Sequence, residues 1–462
     1  MNNDITAIIL AAGLGTRMKS SKAKVLHEAG GDNLLNHVIR AALHVAPAEQ
    51  IIAVVGHQAE EVRTRVKTPG IRFAVQQEQK GTGHAVLCSR DLLRSRTGMI
   101  LILNGDGPLL RPETLKRLIE IQAEKGGGGC VVSTEVSDPT GYGRIVRDDA
   151  GNIAAIVEQK AATPEQLRIR EINTGVYIFD ANLLWQHIDE VQPNNPAREY
   201  YLTDMVEILT RHGHPVTPVL VKDETELLGI NTRVELAAAD KILRERKNLE
   251  LMLSGVTIEN PSTVLIDVDV AIGQDTVIEA GVQLRGKTSI GSNTRIGAGS
   301  ILRDCEVADN VEIYPYVVAQ DTRIGAGAHV GPFARLRQRA EVAEHVHLGN
   351  FVELKNTTMA AGSKANHLAY LGDSIIGARV NVGAGTITCN YDGVNKHKTT
   401  IGDGVFVGSN STLVAPVRLG SGCYVAAGSV ITTDVEEDAL ALARERQTAK
   451  PGWAKNRRER KA

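Results

Sequence analysis

Two groups of residues in this 462-residue chain have the types and spacing to do chemistry. The first opens at Leu10-Ala11-Ala12-Gly13-Leu14-Gly15-Thr16-Arg17-Met18, directly after an apolar run at 5–10. Small residues and glycines that follow a buried strand let backbone N–H groups approach a phosphate closely. Arg17 and Lys24 add positive charge to hold a polyphosphate. The loop is not a dinucleotide fingerprint, because Met18 occupies the third glycine position, and no G-K-[ST] follows to make a Walker A loop. Asp32 stands near the distance of a ribose acid, but in a turn before a helix and not at a strand end. Asp106 closes a second apolar run, 99–103, through Asn104 and Gly105. An acid just past the carboxyl end of a buried strand is where an open α/β sheet places its ligand chemistry. A carboxylate there suits magnesium shared with substrate phosphates; a turn-forming aspartate is the structural alternative. The second group centres on His367, one of 13 histidines. Histidine is the residue type whose ordinary range suits a general base. Arg337 and Lys355 offer two cations for a phosphate, and Tyr370 and Asn381 offer hydrogen bonds.

The second group depends on a coil. Ile266, Ile272, Ile278, Leu284, Ile290, Ile296 and Leu302 recur every six positions. Ile324, Val330, Leu336, Val342, Leu348 and Leu354 make another run, and Ile401, Val407, Leu413, Leu419, Val425 and Ile431 a third. Four residues on, the first run has Val270, Thr276, Val282, Thr288, Thr294 and Ser300, all small or β-branched. A period of six fits neither a helix nor a plain alternating strand. It fits a parallel β-helix with one hexad per flat side, three to a turn if the coil is triangular. Aromatics at 3% agree, since a narrow prism has no room for rings, and the 45 glycines suit corners of unusual φ. His367 falls where the register slips between Leu354 and Ile376, so the coil must bulge and side chains leave the wall. Residues 389–400 break the hexad and read as a loop reaching outward.

The first group depends on an α/β domain. Strands at 5–10, 50–55, 72–75 and 99–103 alternate with helices at 34–45 and 83–93, so the sheet should be largely parallel. Gly143, Glu158 and Asn173 sit at turns or strand ends and could meet a sugar; ordinary loop chemistry would also account for each. Asn231 closes the domain. Residues 232–252 hold no Gly or Pro and read as one connecting helix, about 30 Å long at ~1.5 Å per residue. The expected domains are therefore 1–231 and 253–462, with the helix holding two separate sites apart.

A net charge of −2 argues against a nucleic-acid-binding body. The basic tail, Lys455, Arg457, Arg458, Arg460 and Lys461, reads as a solvated end before it reads as a phosphate grip. Five widely spaced cysteines without C-x-x-C point to a reducing compartment. No apolar run is long enough to span a membrane and no signal peptide is evident, so the expected location is the cytoplasm.

The segments Leu10 to Met18, Lys24-Val25-Leu26, Gly81-Thr82-Gly83-His84-Ala85 and Asn231, joined to a hexapeptide coil, resemble one family. It is the bifunctional N-acetylglucosamine-1-phosphate uridyltransferase / glucosamine-1-phosphate acetyltransferase of bacterial cell-wall precursor synthesis. The resemblance covers nearly the whole chain and is most specific at Lys364-Ala-Asn-His-Leu-Ala-Tyr-Leu-Gly-Asp373 and at Asn381-Val-Gly-Ala-Gly-Thr-Ile-Thr-Cys-Asn-Tyr-Asp392. It implies a Rossmann-like nucleotidyltransferase domain, a left-handed coil and a homotrimer. It implies acetyl transfer from acetyl-CoA, then uridylyl transfer from UTP, to make UDP-N-acetylglucosamine. Leu10, Ala11, Ala12, Gly13, Arg17, Lys24, Gln76, Gly81 and Thr82 would surround UTP. Asp106 and Asn231 would hold magnesium, and Gly143, Glu158 and Asn173 would contact the sugar. In the coil, His367 would be the base, with Arg337, Lys355, Tyr370 and Asn381 around glucosamine phosphate. Asn390 and Tyr391 would join them around glucosamine phosphate and also bind acetyl-CoA, whose path Ala384, Ser409, Ala427 and Arg444 would line. Three positions depart from the family: Ala23 for Pro, which loosens the Lys24 loop, Asn104 for Tyr, and Gly107 for Val. The last two alter the lining of the pocket. The rival readings are a single-activity nucleotidyltransferase with a scaffold coil, a non-catalytic exchange-factor subunit, and a bifunctional enzyme with another sugar or nucleotide.

Overall fold

The computed structural model describes residues 5–93, 97–149 and 151–460. Of the basic tail, Lys461 lies outside the described residues. The chain divides into two compact units, Met1–Leu243 and Arg244–Ala462.

Strands that read as continuous apolar runs become the buried centre of the first unit. Ile5–Ala11 and Ile51–Val55 are buried almost throughout, as strands covered on both faces must be. They lie in a nine-stranded sheet. Arg72–Val75, Ile51–Val55, Ile5–Ala11 and Met99–Asn104 run parallel in that order. Glu171–Asp180 then enters antiparallel between Met99–Asn104 and Gly129–Glu135, and Val216–Leu220 closes the edge parallel to Gly129–Glu135. The sheet is thus parallel on one side and mixed beyond Met99–Asn104. The hairpin Arg144–Arg147 and Ile153–Val157 attaches to Glu171–Asp180. The expected helix at 34–45 is Leu34–Ala42, started by the Asn33 side chain accepting from Asn36 N at 2.8 Å. The helix expected at 83–93 stops earlier, at Thr82–Leu87, and a 3₁₀ turn Arg90–Leu92 follows. The Ser89 hydroxyl donates to the Val86 carbonyl at 2.7 Å, a local bond that competes with helix continuation.

The connecting helix is Arg233–Leu253. In the first unit its Asp240 carboxylate accepts from Gly30 N at 2.7 Å. In the second its Arg244 pairs with Asp267 at 2.8 Å, both buried, and Asn248 donates to Pro261 O at 3.0 Å.

The second unit is a parallel coil of short strands in an eleven-stranded and a seventeen-stranded sheet. Ile266 pairs with Leu284, three hexads on. Ile296 pairs with Ile313 and Leu354 with Leu371, each one residue short of three hexads. The second shortening is the slip that brackets His367. One turn is longer, with Val382 paired to Val407 around the loop at 389–400. All the aliphatics of the three runs are buried except Ile272, which is partly buried against the same core. That core holds no aromatic ring among the described residues.

The small residues four positions on do more than let corners close. Thr276, Thr294 and Ser300 are buried, and their hydroxyls donate to Gly291 O at 2.8 Å, Ala308 O at 3.2 Å and Tyr314 O at 3.2 Å. Each stitches one turn of the coil to the next and contributes about 1 kcal/mol. Glycine is only one of the corner residues. Asp304, with φ 52°, takes a left-handed corner and its carboxylate accepts from Lys287 N at 2.9 Å, a bond glycine cannot make. The rings stay outside: Tyr316, Phe333 and Phe351 stack at 5.1 and 5.4 Å along exposed corners. Among the described residues no helix is long and apolar enough to cross a membrane.

Candidate active sites

In the first unit the sheet brings three loops together. Gly105 N donates to Leu10 O at 2.9 Å, so the glycine loop and the Asp106 turn lie side by side. Ile230 N donates to Asp106 O at 2.9 Å, which delivers Asn231 to the same place. Gly15 adopts φ 60°, and a Cβ there would collide with the Lys24 side chain, so glycine is what admits Lys24 to the loop. The Lys24 ammonium then ion-pairs with the Asp106 carboxylate and donates to Asn231 Oδ1 at 3.1 Å. Two oxygens from distant parts of the chain therefore converge on one cation.

Two adjoining cavities open from this point. One, about 290 Å³, is lined by Leu10, Ala11, Ala12, Gly13, Lys24, Gln76, Gly81, Thr82 and Asp106, with Gln79 and Glu199. Buried Gln76 donates to Gly81 O at 3.0 Å, which fixes the Gly81 turn over this space. The other, about 250 Å³, adds Gly143, Glu158, Asn173 and Asn231, with Tyr142 and Gly229. Leu10, Thr82, Asn104 and Asp106 belong to both. Arg17 is exposed and lines neither. Asn173 donates to Tyr177 Oη at 2.6 Å, and burial pushes that phenol's pKa above its ordinary value. Burial first, and then the Asp204 charge, raises Glu158 above the usual carboxylate range. Asp204 is itself pushed up to about 6 by burial and by Glu207. Asn104, in place of a tyrosine, donates to Thr174 O at 3.2 Å and stands at the junction of the cavities. Gly107 packs near the Asn104 carbonyl and lines neither of them.

In the second unit, coil register does the positioning. Arg337, Lys355 and Gly372 are neighbours on successive turns, as are Glu353 and Tyr370. Arg337 Nε donates to Glu353 at 2.7 Å. Lys355 is buried and donates to Asp373 Oδ2 at 2.8 Å, and Asp373 also accepts from Asn356 at 2.7 Å and from Asn390. Burial works against both charges, yet the pair wins. The Asp373 bond holds the Lys355 pKa up, and Lys355, Asn356 and Asn390 hold Asp373 low. Exposed Lys396, in the outward loop, meets Lys355, and a hydrogen bond from Lys355 and then its charge lower the Lys396 pKa. His367 lies beside Asn350 in register and is exposed, with Nδ1 2.9 Å from Asn350 Oδ1. An amide oxygen only accepts, so in the neutral ring this contact places the proton on Nδ1 and leaves Nε2 as the acceptor. His367 makes no direct hydrogen bond to Arg337, Lys355 or Tyr370 among the described residues.

Asn381 lies on the eleven-stranded sheet, between Lys364 and Phe406. Ala384, Ser409 and Ala427 descend one corner of the coil: Asn410 N donates to Ala384 O at 2.7 Å, Gly428 N to Ser409 O at 2.8 Å, and a Cβ on Gly408 would meet Ala427 N. Arg444 is exposed below them, its Cδ within 4.0 Å of a Cβ placed at Gly428. Exposed Tyr391 bonds within its own loop, to Gly393 O at 2.5 Å. Asn350, Glu353, Asp373 and Lys396 escaped sequence reasoning. Asn350 and Glu353 had a signal in the register, one turn before His367 and Tyr370.

The nucleotidyl transferase family model matches residues 6–225, and that of bacterial transferase hexapeptide repeats matches 269–304 and 398–433. The bifunctional protein GlmU of Solibacter usitatus is 57% identical over 99% of this chain and 98% of its own length. That of Koribacter versatilis is 48% identical over 99% and 98%, and that of Exiguobacterium sibiricum 46% identical over 97% and 99%. With the likeness running end to end, the chain belongs to the family of bifunctional GlmU proteins.

Proposed function

We propose that this chain makes UDP-N-acetylglucosamine in two transfers. The domain of residues 253–462 acetylates glucosamine-1-phosphate from acetyl-CoA. The domain of residues 1–231 then joins the product to the uridylyl group of UTP and releases pyrophosphate, and 232–252 links the two. The observation that carries the reading is the presence of two groups of functional side chains in one chain: a carboxylate and an amide oxygen converging on a cation beside a glycine loop, and, in the coil, a histidine held by Asn350 together with a buried Lys–Asp pair.

At the first site the sugar phosphate brings its own nucleophile, an anionic oxygen. Catalysis is alignment and charge neutralisation. Leu10, Ala11, Ala12, Gly13, Gln76, Gly81 and Thr82 line the cavity assigned to UTP, and Gly143, Glu158 and Asn173 the cavity assigned to the sugar. Leu10, Thr82, Asn104 and Asp106 line both cavities, which supports a meeting of attacking oxygen and α-phosphorus beside them. Asp106 and Asn231 fit a hard divalent cation, because their oxygens already face one positive charge. Magnesium bound there supplies neutralisation of the phosphates. Lys24 and Arg17 are the chain's own cations for the polyphosphate.

At the second site the neutral amine attacks the thioester carbon and sheds a proton as the carbon–nitrogen bond forms. His367 Nε2 takes that proton, with Asn350 holding the ring. The carbon–sulfur bond then breaks, and the CoA thiolate leaves and takes up a proton. Arg337, Lys355, Tyr370 and Asn381 hold the sugar phosphate, with Asn390 and Tyr391 toward acetyl-CoA. Ala384, Ser409, Ala427 and Arg444 form its path. The likeness to hexapeptide acyltransferases supports a homotrimer whose neighbouring copies complete each site; His367, Tyr391 and Arg444 are exposed on the single chain. The expected setting is the cytoplasm. Asp106→Ala tests the division of labour. It should stop pyrophosphate release while thiol release from acetyl-CoA continues; loss of both activities, or of neither, contradicts it.

A further inference from the structure

The first unit carries a second cluster of ligating side chains that neither transfer uses. The helix Ala181–His187 ends in His187, and the turn Ile188–Glu190 follows. The helix Asp204–Arg211 ends beside them, with His212 as its C-cap. His187 Nδ1 is 2.6 Å from Glu190 Oε1, and His212 Nε2 is 3.1 Å from the same carboxylate. The two imidazole rings lie 4.1 Å apart. One ligand atom from each of the three residues falls within 4.8 Å of the others.

We propose that His187, Glu190 and His212 form a binding site for a divalent transition-metal cation of the zinc class. Two imidazole nitrogens and one carboxylate are a donor set such ions take with an open fourth position. Bonds of about 2.0–2.2 Å from one centre put neighbouring donors roughly 3.3 Å apart. The two contacts to Glu190, at 2.6 and 3.1 Å, fall just inside that value, so the carboxylate and both rings already stand at ligand range of a common centre. His187 is buried and its Nε2 has no partner among the described residues, so Nδ1 is its one polar contact. Glu190 and His212 are exposed, which leaves an entry path and room for water as a fourth ligand. Both helices present their C-terminal ends, where positive charge is favoured. One group competes: the Arg211 guanidinium is 3.5 Å from Glu190 Oε2. His214, its ring 6.4 Å from that of His187, stands behind the site. A bound cation would tie together the ends of two helices. The start of the second of these follows directly on Leu202 and Thr203, which line the proposed sugar cavity.

The test uses the full chain, stripped with a chelator and dialysed against zinc alone. Wild type should take up zinc at this site, show the visible cobalt spectrum of a four-coordinate centre on substitution, and gain thermal stability with the metal. His212→Ala changes an exposed side chain, so folding should survive; it should weaken zinc binding by at least ~100-fold and abolish the thermal gain. Arg211→Gln frees the carboxylate and should tighten binding several-fold. Zinc uptake unchanged in His212→Ala overturns the proposal, as does absence of uptake by wild type. Unchanged affinity in Arg211→Gln would remove Glu190 from the ligand set and with it the site as stated.

Discussion

Replacing Asp373 with asparagine should disable acetyl transfer and spare uridylyl transfer. Asp373 is 7% exposed and Lys355 5% exposed. Asn keeps the volume but removes the charge that three donors share, from Lys355, Asn356 and Asn390. Breaking one side of a buried ion pair costs about 3–5 kcal/mol. The long Lys355 side chain can turn toward water and recover part of that, so about 2–3 kcal/mol is expected. The sign in pH follows from the two shifts. The Asp373 pKa is depressed, so its contribution stands above about 3.8 and fades as pH falls through the lower folded value. The Lys355 pKa is raised, so its share stands below about 10.5 and fades as pH rises through the higher folded value. The destabilisation should therefore be flat across neutral pH and fade at both ends, in acid as Asp373 takes a proton and in alkali above about 10.5 as Lys355 loses one. With its carboxylate gone, Lys355 also loses the bond that orients it. A charge-assisted bond to a phosphate contributes about 1.5–3 kcal/mol, so KM for glucosamine-1-phosphate should rise roughly 10- to 100-fold. The assay follows thiol release for KM and pyrophosphate release from N-acetylglucosamine-1-phosphate as the internal control of folding. A KM within twofold of wild type, with stability unchanged, would refute the reasoning.

Ala23 has φ −53° and its amide donates no hydrogen bond among the described residues, so Ala23→Pro should stabilise the chain by about 0.5–1 kcal/mol with uridylyl transfer kept; a lowered melting temperature would contradict this. Asp204, held at about 6 against an ordinary 3.8, is disfavoured as a charge in the folded state. Its destabilisation is present above pH 6 and relieved as pH falls toward 3.8. Asp204→Asn should therefore raise stability at pH 8 by about 1–2 kcal/mol, after discounting for partial exposure, and by nothing near pH 4. Melting curves at both pH values check it.

What was legible in the sequence followed from period. The hexads predicted which aliphatics would be buried because each flat side of a coil repeats the same environment, and Ile272 is the one that is not fully covered. The glycine loop and Asp106 were readable because a strand end fixes where the next residues point. The antiparallel entry of Glu171–Asp180 was not, since an apolar run looks alike in either direction. The Lys24–Asp106–Asn231 convergence joins residues far apart in sequence, and no local pattern signals such a contact. Asp373 stood within a segment already marked as specific, yet its place beneath Lys355 depends on a turn shortened by one residue.

The central claim is one chain with two separable transfers, and it is tested by running wild type and His367→Ala side by side. Both receive glucosamine-1-phosphate, acetyl-CoA, UTP and magnesium, with free thiol and pyrophosphate followed together. Wild type should release both, and the variant neither until N-acetylglucosamine-1-phosphate is added, when pyrophosphate alone should appear. A wild type that never frees thiol, and yields pyrophosphate only from the acetylated sugar, would reduce the coil to a scaffold and contradict the account.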